Sequence, residues 1–403
     1  MKVRENIAGS LVLAILTILV LLPLVTVLLQ VICPGLKPGE LDMGNMSLVM
    51  DVFVRPLWKK AFINSASMSL CTTVLGLCLA GVLAHIRVKY DFPLAKLLDV
   101  VSWILMIMPS FILAQGWVFF ASGNGIARSW LHIEGMNNFL FSFPGLVTVM
   151  VLCKYPMAYV AIKAALEWYP ARLVHAARIN GASPLKVWTS VQLPLCMPTY
   201  FSAAMLIFMD TVGDYGMSST ITAVYSFPTL PYTIYSAICS SPVRFDMAGV
   251  LSLYLVVMIV IAMALQFYMM GRKRFDYLGS GTEQVTPRKT GPAAAVMLTA
   301  VTGGFCLVAL GIPVGSNFIM SFSDSFSIEK FRFTLANYQN VLQLDGALLE
   351  GVRHSLSLAA VAAVIGLLVG FAVAYILTYS QFKLKRLIDM LTLVAMAVPG
   401  VVL

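Results

Sequence analysis

Three charged side chains stand inside otherwise apolar runs: Lys154, just before Tyr155-Pro156, and Asp210 and Asp214, on either side of Gly213. A charge at the centre of a membrane span costs roughly 2.5 to 3.5 kcal/mol on insertion scales, so such residues turn to the bundle interior or pair with one another. Lys154 is therefore expected to neutralise Asp210 or Asp214, either as a purely structural ion pair or beside a translocation pathway. The sequence Gly213-Asp214-Tyr215-Gly216 loosens the backbone around a carboxylate. That leaves two readings, a broken helix lining a path or a simple kink at paired glycines. No phosphate-binding Gly-rich loop, GxSxG elbow, HExxH pair or acidic metal cluster occurs. The expectation is a chain with no catalytic residue, metal or cofactor of its own.

A second stretch is polar and basic although long apolar segments flank it. It runs from His175-Ala176-Ala177-Arg178-Ile179-Asn180-Gly181-Ala182-Ser183-Pro184 to Val191-Gln192-Leu193-Pro194. Pro170 suits the first turn of a helix, Gly181 can end that helix in the left-handed conformation, and Pro184 can start another. Leu193-Pro194 would close the unit. The spacing predicts a helix, turn and helix over residues 170–194 at a membrane surface.

This pattern resembles the EAA loop of binding-protein-dependent ABC importer permeases, in which Glu-Ala-Ala is followed after three residues by Gly and after nine more by Ile-x-Leu-Pro. Ala176, Ala177, Gly181, Leu193 and Pro194 match, and Val191 replaces the Ile. His175 stands in place of the Glu, where a neutral imidazole can still hydrogen-bond. The resemblance implies that this loop, Ala182 included, docks in a groove of a cytoplasmic ATPase, so that ATP-driven closure of an ATPase dimer moves the membrane helices. It also implies an extracytoplasmic substrate-binding protein, ATP consumed only by the partner, and the type I importer (MetI-like) fold.

Composition agrees with a polytopic all-α membrane protein. Hydrophobic residues make up 60% of the chain and charged residues 11%, and the mean hydropathy is +0.88. A net charge of +9 would suggest nucleic acid in a soluble protein, but here it reads as basic residues gathered in cytoplasmic loops facing lipid headgroups. The seven cysteines form no CxxC pair and read as small core residues. A span needs about 20 apolar residues. Spans are expected at 7–32, 65–86, 97–120, 143–162, 199–223, 247–270, 292–314, 355–379 and from 387 onward. Lys2 and Arg4 favour a cytoplasmic N-terminus in a bacterial inner membrane, and with that start the 170–194 loop also faces the cytoplasm. The long external loops 34–64 and 315–354 either receive a soluble partner or merely cap helix ends.

The chain also repeats itself. A gapless shift of 290 positions pairs Pro23 with Pro313, Ser65 with Ser355, Gly76 with Gly366, Phe92 with Phe382, Asp99 with Asp389 and Pro109 with Pro399. The expected organisation is a first permease repeat of six spans over 1–270, a flexible cytoplasmic linker over 271–291, and an incomplete second repeat of three spans over 292–403. A truncated form of a fused two-permease protein is the corresponding expectation. Small residues at four-residue intervals, Gly76, Ala80 and Ala84 and again Gly366, Gly370 and Ala374, mark the second span of each copy as a packing helix. An even number of spans per copy makes the repeats parallel, which counts against an ion-coupled carrier built from inverted repeats. Among permeases the fused arrangement looks most like the ferric-iron importers, with 2-aminoethylphosphonate, polyamines, thiamine or sulfate as other substrates of the same architecture.

Overall fold

A computed structural model describes residues 2–32, 46–168, 171–222, 225–271, 286–325, 328–343 and 347–397. The chain is helical almost throughout. A first rod joins α1 (Lys2–Leu16) to α2 (Leu22–Ile32) and is followed by α3 (Met46–Val54) and the long α4 (Pro56–Lys89). Next come α5 (Ala95–Ile107), α6 (Ser110–Ala121), two short turns α7 (Ile126–Ser129) and α8 (Met136–Leu140), and α9 (Phe143–Glu167). The expected loop holds α10 (Ala171–Ile179) and α11 (Pro184–Val187) and leads into α12 (Leu193–Val212), α13 (Gly216–Thr222), α14 (Leu230–Cys239) and α15 (Phe245–Gly271). Beyond it lie α16 (Pro292–Cys306), α17 (Ile312–Ser321), α18 (Ala336–Gln343), α19 (Ala347–Tyr379) and α20 (Lys385–Ala397).

Seven described helices are long and apolar enough to cross a membrane, or eight when α5 and the segment from α6 to Ser129 count as one broken span. The expected third span, 97–120, is thus not a single rod. It bends by 107° at Met108-Pro109, where Pro109 supplies no backbone N–H and disfavours helical geometry in the residue before it. The expected ninth span is represented by α20. Most of the expected linker, residues 272–285, and Pro170 lie outside the described residues.

Three π-turns interrupt these rods, at Thr17–Leu21, Trp188–Gln192 and Leu307–Gly311. Each ends two residues before a proline, Pro23, Pro194 or Pro313. A proline inside a helix clashes with the carbonyl four residues back, and an i→i+5 turn at that point widens the backbone and lets the helix continue. Pro194 therefore does not close the 170–194 unit. The helix that begins at Pro184 runs through its π-turn into the span and reaches Val212.

Helix positions recur at the 290-residue displacement seen in the sequence. Lys2–Leu16 maps onto Pro292–Cys306, the first π-turn onto the third, Leu22–Ile32 onto Ile312–Ser321, and Ala95–Ile107 onto Lys385–Ala397. The packing is reciprocal as well. Helix α16 lies along α5 while α1 lies along α20, with Val12 and Leu16 sharing a buried cluster with Phe382, Ile388 and Leu391. The main core joins α4, α5, α6, α9 and α12, capped by Cys306, Ala309 and Met320.

Small residues admit two close approaches. Gly76 and Gly81 of α4 lie under Ile207 and Tyr200 of α12, and Ala80 and Ala84 are fully buried. The matching stripe on α19 behaves differently: nothing lies within 4 Å of a Cβ built on Gly366 or Gly370, and Ala374 is exposed. Among the described residues no helix covers α19 as α12 covers α4, so the expectation of a packed second stripe is corrected for that copy. A tight glycine contact between the two parts of the chain is Gly116 of α6, where an added Cβ would stand 2.1 Å from the Pro313 carbonyl oxygen. One turn away Asn317 Nδ2 donates to the Ile112 carbonyl at 2.8 Å. Gly116→Val is expected to force α6 and α17 apart and to lower stability by roughly 1 to 3 kcal/mol. Gly123→Val, in open space, is the control. Thermal unfolding of both purified variants measures the difference, and equal melting points would refute the close contact.

Candidate functional site

Two helix breaks meet at the centre of the molecule. One is the bend at Met108-Pro109, and the other is the interval between α12 and α13, where the helix stops at Val212 and restarts at Gly216. Of the two readings open for Gly213-Asp214-Tyr215-Gly216, the structure has the broken helix. Gly216 lies so close to the start of α6 that an added Cβ would stand 2.8 Å from Ser110 Oγ. Only a residue without a side chain lets the two breaks touch.

Asp214 fills the junction. Its Oδ1 accepts from Ser110 Oγ at 3.1 Å and from the Met217 backbone N–H at 2.8 Å. Its Oδ2 lies 2.6 Å from Lys154 Nζ. Lys154 also reaches Asp210 Oδ2 at 2.6 Å. The sequence left one carboxylate or the other as partner; the structure brings both to the same ammonium. Lys154 and Asp214 are buried, with side chains 9% and 4% exposed, whereas Asp210 is 36% exposed. Around the triad is a cavity of ≈ 600 Å³ lined by the ends of α5 and α12, the starts of α6 and α13, and Met157 of α9. Buried charges demand paired partners and further hydrogen bonds, and Asp214 has both.

The 170–194 loop forms the other candidate site. Val174 and Val187 are buried and hold it to the body, while Ile179 is 86% exposed and Leu185 71%. Gly181 has φ +80, the left-handed turn expected of it, and its amide donates to the Arg178 carbonyl at 2.9 Å. Ser183 caps α11 by accepting from the Lys186 amide at 3.4 Å. His175, Ala176 and Pro194 are exposed, and Ala177, Ala182, Val191 and Leu193 are half-buried.

Sequence reasoning missed the groups that tie this loop to the spans. Trp188 Nε1–H donates to His85 Nε2 at 3.0 Å, and His85 Nδ1 lies 2.8 Å from the Gly81 carbonyl. A histidine that donates through Nδ1 and accepts through Nε2 is the neutral tautomer. Beside it Asp99 accepts from Arg87 Nε at 2.8 Å and Tyr159 OH at 2.6 Å and pairs with Lys163 at 2.9 Å. Asp99 drew notice only as one of the repeated positions. Its partners come from α4 and α9, a grouping that linear spacing does not reveal.

A family model for the binding-protein-dependent transport system inner membrane component matches residues 73–275, half of the chain. Among curated relatives, the ferric transport system permease protein FbpB of Actinobacillus pleuropneumoniae is 23% identical over 84% of this chain and 49% of its own length. The chain thus spans about half the length of that relative. The molybdenum transport system permease protein ModB of Escherichia coli K12 is 27% identical over 46% of this chain and 82% of its own. Among solved structures, a bacterial ABC transporter involved in the import of the acidic polysaccharide alginate is 16% identical, with a TM-score of 0.48, covering 64% of this chain and 91% of that one.

The triad geometry sets an order of rescue. Lys154→Met leaves two unpaired carboxylates and should cost roughly 3 to 5 kcal/mol. Adding Asp214→Asn should recover more of this loss than adding Asp210→Asn, because Asp214 is the more buried acid. Thermal unfolding of the single and double variants in detergent measures it. Equal recovery, or the reverse order, would contradict the burial argument.

Proposed function

The chain belongs to the family of binding-protein-dependent transport system inner membrane components, and from that premise we propose that it is the transmembrane permease subunit of an ATP-driven ABC importer. It is a multi-pass inner-membrane transport protein; a separate cytoplasmic ATPase dimer supplies the energy, and an extracytoplasmic binding protein delivers the substrate. The observation that carries this reading is the loop from α10 to α11. Its apolar side chains Ile179 and Leu185 stand out from the surface, its turn depends on Gly181, and its second helix runs without a stop into α12, which carries Asp210.

In this reading His175, Ala176, Ala177, Gly181, Ala182, Val191, Leu193 and Pro194 belong to the ATPase-coupling loop, and the N-terminus lies on the same, cytoplasmic side. ATP binds the partner and not this chain. Residues 1–270 form one permease repeat, 271–291 a linker and 292–403 part of a second, in keeping with the 290-residue recurrence of the helices. Ferric iron is the proposed substrate, since the ferric transport permease covers 84% of this chain and the molybdenum permease 46%.

Gly181→Leu tests the loop. A Cβ there meets nothing within 4 Å, but a left-handed conformation costs an L-residue about 1 kcal/mol, enough to re-aim a two-helix turn without unfolding the spans. Uptake of radiolabelled ferric iron by cells carrying the complete system should fall several-fold, while protein level and melting point stay at wild-type values. Unchanged uptake and unchanged ATPase binding would show that the loop is not the coupling element. Loop-dependent uptake of molybdate in place of iron would replace the substrate and keep the importer.

A further inference from the structure

The central cavity carries an unequal charge, and this bears on what can cross it. Among the described residues lining it, the charged side chains are Lys154, Asp210 and Asp214, a net charge of one negative unit. Helix ends do not alter the balance: α5 and α12 end at the cavity, α6 and α13 begin there, and the opposite partial charges of helix ends and starts offset one another.

The two acids are not equivalent. Both oxygens of Asp214 are committed, to Ser110, Met217 and Lys154. Asp210 is 36% exposed, and among the described residues Lys154 is its only partner. Lys154 has three N–H donors, of which two go to the carboxylates; the third has no protein acceptor among the described residues, although its side chain is only 9% exposed. A buried ammonium shared between a fully committed carboxylate and a partly exposed one, at the wall of a cavity, is a site with room for exchange.

We propose that this cavity is a cation station, in which Lys154 is a tethered resident cation and an incoming positive centre takes Asp210 from it while Lys154 stays with Asp214. The inference rests on the importer reading and adds a charge class to it. An arriving cation exchanges one partner of Asp210 for another and is met by the cavity's excess negative charge. An oxyanion would have to displace both carboxylates from Lys154 and would then face them unpaired at low dielectric. One exchangeable carboxylate among thioether walls, Met106, Met108, Met157 and Met209, gives a passing contact and no tight cage, as conduction needs a site weak enough to leave.

The test uses the full chain in phosphatidylcholine nanodiscs, with terbium(III) as the trivalent probe, its luminescence sensitised by Tyr215 in the cavity wall. Spermidine is an organic trivalent competitor and radiolabelled molybdate the anionic probe. Wild-type protein should bind terbium saturably, and Asp210→Asn should weaken that binding at least about tenfold, the scale of a close charge pair. Molybdate should not bind. Spermidine competition would assign the station to cations in general, and its failure to metal cations. If Asp210→Asn does not fold, Asp210→Glu, which keeps the charge and shifts its position, should retain terbium binding with altered affinity. Absent or Asp210-independent terbium binding, or Lys154-dependent molybdate binding, would overturn the proposal. Capture of the ATPase through the Gly181 loop is scored on the same preparations. Its loss with Asp210-dependent terbium binding intact would sink the importer reading alone.

Discussion

The attraction of one buried ammonium for two carboxylates organises the centre of this protein. Lys154 is on α9, Asp210 on the last turn of α12 and Asp214 in the gap that follows, so the triad pins one helix to a break in another. Moving three charges out of water costs several kcal/mol each, and the return depends on geometry that satisfies the remaining donors and acceptors. Asp214 meets that condition only because the bend at Met108-Pro109 brings Ser110 to it and because Gly216 lets the two breaks touch. The broken helices and the ion triad are one construction. Straight helices would keep their backbone bonds and leave Asp214 without its second set of partners.

Proline placement follows a related economy. A membrane interior offers no water to a freed carbonyl, so an interrupted helix must be repaired locally. Three times among the described residues a rod widens to an i→i+5 turn just before a proline. At Pro109 the rod breaks outright. The difference lies in what surrounds each site: the π-turns sit inside single packed rods, while Pro109 stands at the cavity, where Ser110, Asp214 and Gly216 receive the broken ends.

The all-helical membrane class was legible because composition and apolar run length are set by the bilayer and not by tertiary contacts. So was the turn at Gly181, where Gly, Ser and Pro each act through their own backbone chemistry. Lys154 and the two aspartates were legible as a group because charge in apolar runs is expensive, but not their stoichiometry, since spacing cannot say whether a lysine reaches one acid or two. The bend at Met108-Pro109 escaped because the run around it is largely apolar and long enough for a span, and a proline inside a span can be carried by a π-turn as well as by a break. Asp99 and His85 escaped because their partners come from three helices distant in sequence. The stripe Gly366, Gly370, Ala374 shows the limit from the other side: a motif for close packing states what a helix surface permits, and whether a partner occupies it is a separate fact.

Helix α12 links the two candidate sites mechanically. It begins at the π-turn whose Trp188 is held by His85, and it ends two residues beyond Asp210. Twenty residues of helix span about 30 Å, and α12 is packed along α4 and α9 for much of that length. A displacement of α10 and α11 is therefore delivered near the far end of α12, where, among the described residues, the partner of Asp210 is a single lysine and the backbone past Val212 is tied back only by the Gly213 and Asp214 amides, to the Met209 and Thr211 carbonyls. Asp214, held by Ser110 and Met217 on the other side of the break, would not follow by the same amount. The break turns a rigid shift of one helix into a change in the distance between two carboxylates that share one ammonium. Such a change alters the electrostatics of the cavity with very little motion.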